Sequence, residues 1–222
     1  MTDTRGPMLD PTRDDVDVLV GQYAAGTPEL RDTRIGEMFA DLTARPWPTE
    51  LISVSALAEI DGGTVLTYTQ WTRDGADPQF AAELTHAEPV EYRLYRSRTR
   101  PDPPAPGCVV VVSVEFDGPD EQRSRRWVDT VITALEAEKE PHPGGISAHF
   151  HLSTDHTRML NYAEWTDADA HRDALARSGR GVVGTAPEWQ AVLEFPGVKS
   201  SGFKRYRLVR TATAASITGT TA

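Results

Sequence analysis

The sequence predicts an α+β fold: two tandem ferredoxin-like units, each β-α-β-β-α-β, packed sheet to sheet as a barrel within one chain. Three observations point there. The stretch ISVSALAEIDGGTVLTYTQW from Ile52 recurs, without a gap, as ISAHFHLSTDHTRMLNYAEW from Ile146, so that Ile52, Ser53, Asp61, Leu66, Tyr68 and Trp71 fall on Ile146, Ser147, Asp155, Leu160, Tyr162 and Trp165. Further on, YRLYR from Tyr92 returns as YRLVR from Tyr206 after a longer intervening stretch. Between the copies lies SRTRPDPPAPG, with four prolines in eleven residues, which can make no helix and offers a sheet few donors. Repetition on this scale signals two copies of one supersecondary unit. The expected organisation is a disordered tail 1–14, a first unit 15–97, a linker 98–107, a second unit 108–210 and a disordered tail 211–222.

Each element can be justified in order. The β-branched runs VDVLVGQY from Val16 and VVVVSVEF from Val109 open the two copies as strands. A helix follows each, with proline near its start, at Thr27-Pro28-Glu29 and at Gly118-Pro119-Asp120. Their apolar stripes are Ile35, Met38, Phe39, Leu42 and Trp127, Val131, Ala134, Leu135, at helical spacing. A hairpin turns at DGGT or DHTR. The second helix begins at Asp77-Pro78 or Thr166-Asp167, and the last strand is VEYRLYR or FKRYRLVR. SGRGVVGTAPEW reads as a loop leading to a short helix at Pro187, with Trp189 capping the pocket or the core. One such unit has helices on one face of its sheet and must cover the other. Two copies in one chain can cover each other, as a monomeric pseudo-dimer, and a homodimer is the alternative.

Composition narrows the function classes. The chain has 222 residues, 39% hydrophobic and 25% charged, with a formal net charge of −10. That acidic balance argues against a nucleic-acid partner, which calls for a basic patch. No run approaches the ~20 apolar residues of a membrane span. The N-terminal MTDTRGPMLDPTRDD has no apolar segment of a secretory signal, so the expected address is the cytoplasm and no membrane partner is expected. The single cysteine, Cys108, excludes an internal disulfide and reads as a small core hydrophobe. No metal-ligand spacing is present.

Chemistry concentrates in the second copy. Asn161, Ala163 and Trp165 share one strand face, and Ser147, His149 and His151 share one on the preceding strand. A three-residue loop at Asp155-His156-Thr157 pairs His151 with Asn161, whereas a two-residue loop pairs Phe150 with Asn161, and one residue of slip exchanges the faces. The three-residue loop is preferred. It sets Ile146, Ala148, Phe150, Leu152 and Leu160 against the helices and gathers Ser147, His149, His151, Asn161 and Trp165 inside the barrel. The opposite choice puts two histidines in a helix-packed core, where each needs a partner. The first copy has Ser55, Leu57 and Thr67 where the second has His149, His151 and Asn161, which makes the second the equipped half.

At GGISAHFHLSTDHTRMLNYAEWTDADAHRDAL the sequence resembles the antibiotic biosynthesis monooxygenase family, strongly over residues 144–175 and, through the repeat, more weakly over 15–210. The resemblance implies a dimeric α+β barrel with a pocket in each unit. It implies oxidation of anthrone-like phenols of aromatic polyketide pathways to quinones, with O₂ as co-substrate and no flavin, haem or metal cofactor. It implies that Asn161 and Trp165 line the pocket and matter for activity, and a histidine of some members falls best on His151. These three are the candidate catalytic residues. His149, Ser147, Ser113, Phe150, Trp71 and Arg172 are the candidate substrate contacts. His171 and Arg172, one turn into the second helix, read first as a solvated face within reach of the pocket mouth. Thr67 in place of the asparagine puts a second site in doubt. Alternatives are a polyketide cyclase or other non-oxidative enzyme, a haem-degrading relative with His171 as the only candidate axial ligand, and a non-catalytic ligand-binding barrel.

Overall fold

The structure, a computed structural model, describes residues 13–85 and 87–218. The order of elements is β1 (Val16–Ala24), α1 (Pro28–Ala44), β2 (Leu51–Glu59), β3 (Thr64–Thr72), α2 (Pro78–Thr85), β4 (Val90–Thr99), β5 (Cys108–Phe116), α3 (Glu121–Ala137), β6 (Gly145–Ser153), β7 (Arg158–Trp165), α4 (Ala168–Ser178), α5 (Trp189–Leu193), β8 (Val198–Thr213) and α6 (Ala214–Thr218). The fold is α+β, and its eight strands are hydrogen-bonded in the order β1-β3-β2-β8-β5-β7-β6-β4 as a closed barrel.

The chain divides into two compact units, one drawn from Met1–Leu94 and Tyr206–Ala222, the other from Tyr95–Arg205. The divisions fall inside β4 and β8, within YRLYR and at the start of YRLVR. Residues 211–213 continue β8, with Thr211 and Ala212 buried, and Ala214–Thr218 form α6. Most of the expected N-terminal tail, and 219–222 of the C-terminal one, lie outside the described residues. No helix among the described residues is long and apolar enough to cross a membrane.

In the first unit Thr27 caps α1, its side chain accepting from the Leu30 N–H, and Pro28 occupies the first turn, where a missing N–H is harmless. The stripe Ile35, Met38, Phe39, Leu42 packs on Leu19, Val54, Ala56, Val65 and Trp71 of the sheet. In the second unit the cap is Asp120, which accepts from the Arg123 N–H at 2.9 Å, so Pro119 precedes the helix. Trp127, Val128, Val131 and Ile132 cover Val114, Phe116, Phe150, Leu152 and Met159.

The two hairpins are built alike. Each carries a register shift at the same place, between Leu51 and Ser53 and between Gly145 and Ser147. The correspondence of Ile52 with Ile146 in the sequence is thus a correspondence of two bulged residues.

Candidate active site

The register of β6 and β7 decides which side chains can meet. Phe150 pairs with Asn161, His151 with Leu160 and His149 with Tyr162. This corrects the expected His151–Asn161 pairing. The turn joins Ser153 to Arg158 through residues 154–157. Asp155 organises it, its Oδ1 accepting from Ser153 Oγ (2.7 Å), Thr157 Oγ1 (2.7 Å) and the Thr157 N–H (3.0 Å), with His156 in the left-handed region at φ 58°. A carboxylate with three donors stabilises this wider turn over the tight one, and the strand faces exchange.

Asn161, Ala163 and Trp165 therefore lie on the helix-covered face of the sheet, with Phe150, Ala148, Val110 and Val112 as cross-strand neighbours. The expected set of Ser147, His149, His151, Asn161 and Trp165 does not share a face. Ser147, His149 and His151 are on the opposite one, where each finds a partner. Ser147 Oγ donates to Glu164 Oε2 at 2.6 Å, His149 Nδ1 meets Ser97 Oγ at 2.8 Å, and His151 Nδ1–H donates to the His149 carbonyl at 2.9 Å. Burial lowers His149 to about 4 and His151 to about 3, so both rings are neutral at ordinary pH. Histidines in this core are tolerated because the sheet itself supplies their hydrogen bonds. Ser113 is exposed, Arg172 is held to Asp169 at 2.6 Å on the surface, and Phe150 is wholly buried under the helices.

On the helix-covered face the Asn161 amide is the feature that stands out. Its Oδ1 is buried and has no hydrogen-bond partner among the described residues. A buried polar atom without a partner costs about 1–3 kcal/mol, and the fold retains one here. From Asn161 to Trp165 the strand advances about 13 Å at roughly 3.3 Å per residue, and the residue between them on this face is Ala163. Its short side chain, with Ala148 and Val110 across the neighbouring strands, continues a buried apolar strip of the sheet. Ala170 and Ala174 of α4 and Val183 of the following loop pack over the Trp165 end. Glu138 holds that loop, accepting from the Ala186 N–H at 2.7 Å and from Trp189 Nε1 at 2.8 Å. Trp189 packs in the core beneath α3.

The residue the sequence undervalued is His171. Asp167 caps α4 through the Ala170 N–H at 2.8 Å, and Gly179, at φ 63°, ends the helix. With the start fixed, His171 and Ala174 form its buried face, and the His171 ring packs edge-on to Trp165 with centroids 5.0 Å apart. On its other side lies Phe203, also at 5.0 Å, and Arg205 Nε donates to its Nδ1 at 3.0 Å. Burial and the neighbouring Arg205 lower its ring to about 4. The signal was present as a three-residue spacing of His171 and Ala174 behind an N-cap aspartate.

The first unit shows the same position closed. Thr67, which replaces the asparagine, donates to the Gly21 carbonyl at 3.3 Å, Thr69 donates to the Leu19 carbonyl, and Trp71 Nε1 donates to Thr69 Oγ1 at 2.8 Å. All three residues are buried, and Phe80 packs edge-on to Trp71 at 5.8 Å. A Cβ at Gly21 would come within 2.9 Å of Thr67 Oγ1. Every polar side-chain group named there is satisfied and the space is filled.

Sheets with helices on one face and a closed strand order place the fold in the class of α+β barrels. Residues 109–194 match the antibiotic biosynthesis monooxygenase family. Over 67 residues it is 37% identical to the tetracenomycin-F1 monooxygenase of Streptomyces glaucescens, a match that spans 30% of this chain and 58% of that protein's length. A solved anthrone oxidase-like protein has a similar fold, with a TM-score of 0.70 at 14% identity over 94% of this chain and 97% of that one. So does a putative monooxygenase from Lactobacillus acidophilus, with a TM-score of 0.54 at 10% identity over 90% and 96%.

Proposed function

We propose that this chain is a monooxygenase that works without a bound cofactor, oxidising a polycyclic, anthrone- or phenol-type polyketide intermediate to a quinone with O₂. The observation that carries this reading is the unpaired, buried amide oxygen of Asn161 at one end of an apolar strip whose other end is Trp165, in the segment that matches the family. A flat substrate lies over Ala163, its ring system against the Trp165 indole and a hydroxyl on the Asn161 carboxamide. Burial of the strip strengthens such polar contacts.

Triplet O₂ reacts poorly with closed-shell molecules, but an electron-rich enolate or phenolate can pass it one electron. Loss of a proton from the anthrone carbon gives the carbanion, O₂ adds there to form a C–O bond, and protonation yields the hydroperoxide. Cleavage of its O–O bond with loss of water leaves the quinone carbonyl. His151 takes no part in this scheme, because it stands on the other face of the sheet. The first unit, whose equivalent position is closed, contributes no second site.

The test is oxygen uptake by the purified protein with an anthrone or a naphthol. Stoichiometric O₂ consumption with quinone formation, lost in Asn161→Ala, is the expected result. Product at full yield under nitrogen would overturn the reading in favour of a non-oxidative cyclase.

A further inference from the structure

We infer that residues 179–186, a segment the first unit lacks, cover the Asn161–Trp165 face of β7, and that a flat aromatic is admitted only when Glu138 releases the end of that segment and Val183 lifts off the sheet. This rests on the reading of that face as the ligand site, though not on the use of O₂.

The two units differ between the second helix and the last strand. In the first, α2 ends at Thr85 and β4 begins at Val90; in the second, α4 ends at Ser178 and β8 begins only at Val198. The added chain packs on the face in question. Asn161 stands between Phe150 on β6 and Val112 on β5. Phe150 belongs to the cluster beneath α3, and Val112 packs on the cluster of Cys108, Val110, Ala163, Trp165 and Ala174. Val183 packs against both clusters. It bridges the two groups of side chains that flank Asn161, whose amide oxygen is buried without a partner. A sealed acceptor serves a ligand only if its cover moves.

The cover is held by side chains rather than by a ladder. Residues 181–185 make no backbone-to-backbone hydrogen bond among the described residues, and segments of that kind open at a small part of the global unfolding free energy. At the near end Gly179 and Gly181 have φ of 63° and 76°, and a Cβ at either would meet nothing within 4 Å. Glycine holds that conformation at little steric cost, and this end stands clear of its surroundings. At the far end Glu138 accepts from the Ala186 N–H at 2.7 Å and from Thr185 Oγ1 at 3.5 Å. Gly184 is required for this contact, because a Cβ there would come within 2.1 Å of Glu138 Oε1. Trp189 is buried beneath α3 and bonded to the same carboxylate at 2.8 Å, so it marks the limit of the moving segment. The near end is a hinge, the far end a catch on a charged acceptor, and Val183 the plug between them.

Two measurements on the full chain test this. Amide hydrogen exchange read by mass spectrometry is expected to be fast in 179–186 and slow in β7, and to slow in 179–186 when 1,8-dihydroxyanthraquinone is bound. Glu138→Ala and Gly184→Ala should each speed exchange in that segment about tenfold, the factor that goes with a lost hydrogen bond to a charged acceptor, while β7 keeps its native rate. In stopped flow, association of the same quinone is expected to level off with rising ligand concentration at the rate of opening. That plateau should rise in both variants and in Val183→Ala, which trims the plug and leaves the catch. An association rate that grows linearly with ligand and is the same in all four proteins overturns the proposal, as does a 179–186 segment that exchanges as slowly as β7. A gated quinone without O₂ uptake would sink the monooxygenase reading and leave this one standing. Uptake of O₂ indifferent to all three substitutions would do the reverse, and a quinone that does not bind would sink both.

Discussion

Phe150 stands directly opposite Asn161 on the neighbouring strand, wholly buried beneath α3 while the Asn161 amide oxygen beside it has no partner. An apolar ring opposite an unsatisfied carboxamide is unfavourable for folding and, in the function proposed above, leaves an acceptor for the substrate. The pairing puts Ser147, His149 and His151 on the opposite face of the sheet from Asn161.

A stability measurement separates those two consequences. In Asn161→Val the orphaned acceptor is gone and an apolar side chain fills its place. The thermal midpoint is expected to hold or rise, because an unpaired buried polar group costs about 1–3 kcal/mol, while oxygen uptake falls on the order of a hundredfold. A drop of several degrees in the midpoint would show the amide to be structural.

How far the sequence carried this reading depends on which interaction decides each feature. The repeat, the helix caps at Thr27 and Asp167 and the stripe at Ile35, Met38, Phe39 and Leu42 are local patterns, and they stand in the structure where the residues put them. The face assignment of β6 failed because it rested on a turn. The three bonds accepted by Asp155 favour a four-residue connection over a shorter one, and no periodicity in the strands encodes that. His171 was undervalued for a related reason. A histidine beside an arginine on a helix reads as solvated until its partner is known, and Arg205 lies far along the chain on another element.

Ala163 offers a test of the strip that leaves every polar group in place. Enlarging a residue in a filled core costs about 1–3 kcal/mol. Ala163 is buried beside Cys108, Val110, Trp165 and Ala174, so Ala163→Leu is expected to lower stability by about that amount and, per folded molecule, to raise the Michaelis constant for a flat substrate and abolish binding of a dihydroxyanthraquinone. Unfolding weakened by the full packed-core amount, with binding intact, would place the ligand elsewhere.

The two tryptophans distinguish the two units. Trp71 is sealed in its core and bonded to Thr69, whereas Trp165 packs on His171 beside the strip. Trp71→Phe is expected to lower stability by about 1–2 kcal/mol through the lost hydrogen bond and cavity, with turnover per folded molecule unchanged. Trp165→Phe is expected to lower turnover. Equal turnover losses in both variants would show that the first unit takes part in the reaction.

Stability should fall with acid over a window that the histidines define. His149 and His171 are lowered to about 4 and His151 to about 3, from an ordinary value of 6.5, chiefly by burial. Between pH 6.5 and those values the unfolded chain binds protons that the native state refuses, so unfolding is favoured as pH drops. The contribution of each ring is fully present above pH 6.5, where both states are neutral, and declines by up to about 1.4 kcal/mol per pH unit below it. Urea midpoints measured from pH 8 to pH 4 are expected to be flat down to about 6.5 and then to decrease. In His151→Leu, which leaves no imidazole at the most buried of the three positions, the decrease should be shallower even if the midpoint at pH 8 is lower. A slope in that window unchanged by the substitution would mean that His151 is not held neutral by the fold.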